Sequence, residues 1–530
     1  MRQLMTAGVV AALAAGSAPA QWTSDHAANT TIADRSGEQV QPKVRAAPDG
    51  GCVIVWFDNS AGGYDVYAQR LDAQGNALWP SNGVLVRDRS VSSTQDFDAQ
   101  VDASGNVIIA FNDDVNGNSP ISVHKLSPGG AALWAIQASG AQAGFKGPPQ
   151  LALLDDGGIA VAWSAASPLS VHVHKLDADG ESIWPGPVVL SEAGQPYNLC
   201  DIQPAPGGAM IVSWVRCAGS NCVTSNKHLY AQKLDATGMA QWDRVPATPA
   251  IMDPVIVFDG TSLQNGYFPP FVPDGAGGAV FAWYETGGNR DAFVQRITSG
   301  GAELFAHNGV SVSIQAARFQ LGAALAFDAA SGDAYVAWIE SNTAQSQWAM
   351  YAQRVTDEGV RAWGDNGIEL LPISTTQGSF TAALARAGGG VEVYSLANCC
   401  GAAGAVHAFA LGADGAAAWA SPPVIVSSAP SAKTRLDAAR LSSGAAAVAW
   451  TDARLDTGNI YAQRVNPDGS LGNPAACPAD FDGNGEREVG DIFAFLSAWF
   501  AGAPAAFEFG GTPGVPAIFA FLAAWFADCP

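Results

Sequence analysis

Tyr67-Ala68-Gln69-Arg70-Leu71-Asp72, running on through Gly75 to Trp79, decides the fold, because its outline returns along most of the chain. Close copies begin at Tyr230, Tyr351 and Tyr461, the first two ending at Trp242 and Trp363. Weaker ones run from Val123 to Trp134, Val173 to Trp184, Val294 to Phe305 and His407 to Trp419, which makes eight in all. A repeat of this size signals an array of identical structural units rather than one continuous core.

The first unit shows how each is built. Pro48-Asp49-Gly50-Gly51 makes a turn, and Cys52 to Trp56 is a continuous apolar strand ending at Phe57-Asp58. Asp65 to Leu71 alternates in the manner of a third strand. Asp72-Ala73-Gln74-Gly75 is a hairpin turn, with Gly where positive φ is needed, and a last strand follows Trp79 through Val84-Leu85-Val86. Four short strands in roughly 55 residues, repeated, predict a propeller blade. The large residue of the second strand recurs at Trp56, Phe111, Trp163, Trp214, Trp283, Trp338, Tyr394 and Trp450. These side chains are expected to pack between neighbouring blades. Only the interval from Trp214 to Trp283 is long, and it is read as an insertion over 252–266.

The eighth unit stops after Asp468-Gly469-Ser470 without its Trp-bearing strand. Trp22 precedes Val44 by the separation at which Trp79 precedes Val101, so residues 22–33 read as the missing fourth strand. Pairing it with the eighth unit closes the ring and leaves no open sheet edge. The expected fold is mainly β, an eight-bladed β-propeller over residues 21–472, closed by its N-terminal strand. The Tyr-Ala-Gln-Arg-Leu-Asp…Gly…Trp repeat resembles that of secreted bacterial propeller-like proteins over residues 22–470, a resemblance that implies a fold more than a function.

After Gly472-Asn473-Pro474 the composition changes. Asp480, Asp482, Asn484, Glu488 and Asp491 fall at positions 1, 3, 5, 9 and 12 of a loop, with Gly485 at the sharp turn and the Glu486 carbonyl at position 7. That oxygen set suits Ca²⁺. Ile492, Phe495, Leu496, Trp499 and Phe500 then form one apolar helical stripe, and the pattern returns at Ile518, Phe521, Leu522, Trp525 and Phe526. A duplicated loop and helix with Asp at position 12 resembles a dockerin. The resemblance implies a calcium-binding module over 473–530 that docks onto a cohesin-like or surface anchoring protein. The stripes either pack on each other or leave part exposed for that partner. The second loop carries Ala506, Gly510 and Ala517 where the first has Asp480, Asn484 and Asp491, so it is expected to bind calcium poorly. A Cys477–Cys529 clasp is expected to support it, and Cys217 and Cys222 flank a short loop that a second bridge would close.

Residues 1–20 read as a secretory signal: Arg2, a short apolar run, and Ala18-Pro19-Ala20 before Gln21. Export makes disulfides available to the eight cysteines. No stretch is long enough to span a bilayer, so no membrane insertion is expected. A net charge of −22 argues against nucleic acid and anionic membrane surfaces.

No catalytic motif stands out, and the histidines scattered through third strands read as strand residues rather than metal ligands. The constellation that repeats lies two residues past the second-strand aromatic: Asp58, Asp113, Glu285, Glu340 and Asp452, with Arg216 in a sixth blade. These groups belong to one rim, beside the variable loops, where recognition usually resides on a repeated scaffold. They read either as strand-end turn carboxylates or as a polar face for sugar hydroxyls or a cation, with Arg290 and Trp348 contributing from loops. Two functions follow. One is a non-catalytic binding or scaffold propeller, for a carbohydrate or protein ligand, tethered through the C-terminal module. The other is a polysaccharide-degrading hydrolase or lyase drawing on rim acids, which requires two carboxyls in unequal environments.

Overall fold

The computed structural model describes the chain apart from residues 1–20, 115–118, 141–143, 145, 167–168, 244–252, 400, 475–476, 483–486 and 528–530. Eight four-stranded antiparallel sheets follow one another around a ring. Within each, chain order runs from the innermost strand outward: blade 1 is Gln39–Ala46, Cys52–Asp58, Asp65–Leu71 and Val84–Arg87. Blade 8 draws three strands from residues 433–465 and its outermost, Thr30–Ala33, from the other end of the chain. Thr30 stands opposite Ala462 and Thr31 opposite Tyr461, so the ring closes as the repeat spacing predicts.

The repeated motif is the mortar between blades. Trp56 and its counterparts at 163, 214, 283, 338 and 450 are fully buried, and the motif Tyr stacks on the same blade's Trp, as Tyr67 does on Trp56. The motif Gln clamps the chain where it turns toward the fourth strand. In blade 4, Gln232 Nε2 donates to the Trp242 carbonyl at 2.9 Å, and the Trp242 amide returns a bond to Gln232 Oε1 at 2.9 Å. Held this way, the motif Trp reaches the next blade. Trp79 Nε1 donates to the Pro128 carbonyl at 2.9 Å, Trp184 to Ala236 at 3.0 Å, Trp363 to Ala413 at 3.0 Å and Trp419 to Pro467 at 2.9 Å. The receiving turn must let the ring approach. At Gly130, φ is +82° and a Cβ would stand 3.1 Å from the Trp79 indole nitrogen. Arg70 adds a second link, donating to Gly105 of blade 2 at 2.7 Å while pairing with Asp49 at 2.8 Å.

At the seam the same parts are supplied by the two ends of the propeller sequence. Trp22 lies over Gly75, and its backbone amide, rather than its indole, donates to Gln74 at 3.1 Å. Arg464 of blade 8 reaches the Ala73 carbonyl at 3.0 Å. Replacing Trp79 by Phe keeps the packing but removes the indole donor from the Pro128 carbonyl. The expected loss is about 1 kcal/mol, read as a lower denaturation midpoint than the parent chain.

The long interval between Trp214 and Trp283 divides differently from the sequence reading. Residues 255–258 are not loop but the fourth strand of blade 4, because alternation in Val255-Ile256-Val257-Phe258 buries Val255, Val257 and Phe258 against the neighbouring blade. The added length of sequence falls between Trp242 and that strand, and the stretch after Phe258 joins one blade to the next.

Innermost strands bear irregularities, as do several pairings of the outermost strands. Register slips occur between Val40 and Lys43, Leu199 and Asp201, Leu321 and Ala324, and Thr434 and Asp437. Gln41 and Arg435 take φ of 56° and 55° at these bulges. Bulges re-aim side chains, and non-glycine residues held at positive φ gather at functional positions.

The C-terminal segment is helical: Val489–Phe500, Pro504–Phe507 and Val515–Phe526 pack around Phe495 and Phe521, whose rings stack at 4.0 Å. Among the described residues no helix is long and apolar enough to cross a membrane.

Candidate functional site

The rim acids do not converge. Each is engaged within or beside its own blade. Asp58 pairs with Arg35 at 3.2 Å, Asp113 with Arg87 at 3.0 Å and Glu340 with Arg318 at 3.0 Å. Arg35 and Arg87 come from the preceding blade, so these pairs act as struts between blades. Asp452 is buried with Lys433 at 3.3 Å and Arg454 at 2.6 Å, and also accepts from Ser431 and Trp450. Burial pushes its pKa up, but those donors outweigh burial and hold the carboxyl below the usual range. Glu285, half-buried, accepts from the Thr261 hydroxyl. Arg290 lies over the Phe319 ring at 4.7 Å, and Trp348 opens the third strand of blade 6. In blade 4, Arg216 donates to Tyr230 Oη at 2.7 Å, and Cys217 is bridged to Cys222.

A cavity of about 880 Å³ lies instead on the inner strands of blades 8 and 1 to 5, beside the ring axis. At its centre is Arg45, which bonds Asp98 of blade 2 at 2.8 Å and Asp437 of blade 8 at 3.0 Å, and donates to the Ala99 carbonyl at 2.7 Å. Burial would lower the Arg45 pKa, yet the two carboxylates raise it, so the guanidinium is a fixed cation. Lys43 pairs with Asp96 at 3.1 Å. Across the cavity, Asp201 accepts from the Ile202 amide at 2.8 Å and the Gln203 amide at 2.9 Å, and forms no ion pair among the described residues. Burial pushes its pKa up to about 7 against the Gln203 bond, and the Asp98 charge adds to the rise. Phe268, 44% exposed, and Tyr267, tilted against Tyr284 at 4.3 Å, complete this side.

This second constellation was open to detection. Asp98, Asp201 and Asp437 stand opposite Ala110, Ser213 and Ala449, each just before its blade's large second-strand residue. Each Asp also precedes that residue, Phe111, Trp214 or Trp450, by one and the same spacing in sequence. Lys43 before Trp56 and Gln150 before Trp163 share the spacing.

In the C-terminal module, carboxylate oxygens of Asp480, Asp482 and Asp491 lie within 4.8 Å of one another and could hold a metal ion. Asp491 is buried and accepts from the amides of Phe481 at 2.8 Å and Glu488 at 2.9 Å. Burial raises its pKa, but the backbone amides outweigh burial and lower it, so the carboxylate is ready-made for a cation. Three hard oxygen donors this close fit a group II ion. Asn484 and Glu486 lie outside the described residues, while Glu488 caps the following helix. Among the described residues the second copy offers no such group. Cys477 is disulfide-bonded, and Cys529 lies outside the described residues. Of the stripe residues, Phe495 and Phe521 are buried, and Ile492, Leu496, Trp499, Ile518 and Trp525 pack against them, with Leu522 half-buried. The last stripe residues, Phe500 and Phe526, are exposed, as are two matching pairs outside the stripes, Val489 with Val515 and Phe493 with Phe519.

No family model and no curated protein matches the chain. Solved structures similar to it include an ulvan lyase, a polysaccharide lyase, at 13% identity and TM-score 0.42 over 72% of this chain and 97% of that one. The Dos1 propeller aligns at 12% identity and TM-score 0.43 over 84% and 95% of the respective chains. An alpha-L-arabinanase of Penicillium chrysogenum aligns at 10% identity and TM-score 0.36 over 84% and 99%. Identities this low speak to architecture and not to activity.

Proposed function

We propose that this chain is an exported, non-catalytic propeller that binds a carbohydrate in its inner-strand cavity. In this reading it is anchored through a calcium-dependent, dockerin-like C-terminal module to a cohesin-like or surface partner. The observation that carries the binding reading is the composition of the cavity. Amides, carboxylates and an exposed aromatic ring line a space of about 880 Å³, within the range of ligand sites. The rim acids are engaged within their own blades or, for Asp58 and Asp113, by an arginine of the preceding one, which favours the cavity as the binding face. The anchoring reading is supported by the carboxylate triad and by the apolar pairs on the helix exteriors.

The test incubates the full chain with soluble and insoluble polysaccharides (cellulose, xylan, mannan, laminarin, arabinan) and measures retained protein together with released reducing ends. Retention without release is the expected result, and no retention on any of them overturns the binding reading. A hydrolytic reading has one observation in its favour: Asp98 and Asp201 share a cavity, the first paired with Arg45 and the second buried without a cation. Release of reducing ends, lost on Asp201→Asn, decides for it.

Calcium is tested separately. Adding Ca²⁺ to chelator-treated protein is expected to raise the melting temperature of the C-terminal module, and Asp491→Ala to abolish that rise. An unchanged melting curve on adding the ion overturns the calcium assignment.

A further inference from the structure

The following rests on the reading of the inner-strand cavity as a saccharide site and names the group that selects its ligand. Four acids line the cavity, and three are spent on cations: Asp96 on Lys43, Asp98 and Asp437 on Arg45. The basic side chains are spent in the same pairs, and Arg435 is engaged as well. A sulfated or uronic polymer therefore finds no uncommitted cation to bind. Asp201 differs. It lies on the strand Tyr197–Ala205, just past the register slip that follows Leu199, and it is turned to the cavity with its bonds donated by amides alone. An ionised carboxylate has about four acceptor positions, and the amides of Ile202 and Gln203 and the more distant Phe271 amide at 3.4 Å take three of those of Asp201, leaving one open. That position accepts a hydroxyl hydrogen, and the protonated carboxyl offers its own O–H to a hydroxyl oxygen instead. On the same side of the cavity stand Phe268, exposed, and Tyr267. An aromatic face beside a group that pairs with a hydroxyl suits a pyranose or furanose ring, which carries C–H groups on one face and hydroxyls on its edge.

We propose that Asp201 and Phe268 form the selective subsite of the cavity, Asp201 hydrogen-bonding a hydroxyl of a neutral sugar whose ring lies on Phe268. Gln203, whose amide nitrogen donates to Asp201, and Asn198 also line the space. The chemistry selects neutral hexose or pentose chains over acidic ones.

Titration calorimetry of the full chain against cello-, xylo-, manno-, laminari- and arabinohexaose, with trigalacturonate as the acidic probe, tests this. One or more neutral probes are expected to bind, with at least a tenfold loss in Asp201→Asn and in Phe268→Ala. Phe268 is exposed, so its variant reports on binding even if the Asp201 variant folds poorly. Binding of a neutral probe at parental strength by Phe268→Ala, or by a folded Asp201→Asn, overturns the subsite while leaving the cavity reading in place. Preference for trigalacturonate overturns the selectivity. Failure of the parent chain to bind any probe overturns the cavity reading itself, so the two failures are distinguishable.

Discussion

Asp452→Ala is expected to destabilise the propeller by about 3–5 kcal/mol, the range for removing one partner of a buried ion pair. Lys433 and Asp452 are both wholly inaccessible to solvent, and Arg454 directs a second cation at the same carboxylate from 2.6 Å. Without Asp452 two positive groups stand in a low-dielectric setting with no counter-charge. The double change Lys433→Met with Asp452→Asn removes one cation along with the anion and is expected to recover part of the loss. Urea denaturation of the three chains checks this. A rim acid that existed to hold ligand would tolerate Ala with little effect on the midpoint, and that outcome would sink the assignment of Asp452 to cohesion.

The second large effect is a pH dependence set by Asp201. Its folded pKa of about 7 lies above the unfolded carboxylate range near 3.9. The native state therefore holds a proton that the unfolded chain has released. Stability attached to that proton is complete below about pH 4, declines as pH rises, and is gone above the folded pKa. Three pKa units correspond to about 4 kcal/mol. Asp201→Asn removes the ionisation, so the variant is expected to match the parent near pH 5 within a modest margin and to exceed it at pH 8. Denaturation midpoints at the two pH values give the answer, and parallel shifts in both chains would show that Asp201 does not carry the effect.

How far the sequence led depends on what kind of interaction each residue makes. The Tyr-Ala-Gln-Arg motif was legible because four blades carry close copies of it and the others its outline, so repetition exposed both the fold and its closure by Thr30–Ala33. The rim acids were legible as a set for the same reason, but their partners were not. Arg35, Arg87 and Arg318 occupy unrelated positions around their strands, and no spacing ties them to Asp58, Asp113 and Glu340. The inner-strand cavity was hidden by register slips, since Gln41 and Arg435 sit in bulges that break the alternation by which a strand's faces are assigned. Only counting back from Phe111, Trp214 and Trp450 would have found Asp98, Asp201 and Asp437. In the C-terminal module the apolar stripes were clear, yet which residues stayed outside depended on how the helices rotate. Phe495 and Phe521 turned inward, and Phe493 and Phe519 outward.

The seam also has a mechanical meaning. Asn473, where the propeller ends, donates its backbone amide to Trp22 at 3.3 Å and its side-chain amide to the Gln74 carbonyl at 3.0 Å. A pull applied through the chain beyond this point thus enters the ring at its one non-covalent joint. It is shared at once between blade 8, through the strand Asn459–Val465, and blade 1, through the turn at Gln74. The third strand of blade 8 is flanked by Thr30–Ala33 on one side and Ala446–Asp452 on the other, so it must shear past two neighbours before it leaves. A ring closed in this way resists tension along its own backbone better than one whose last strand lies at the sheet edge.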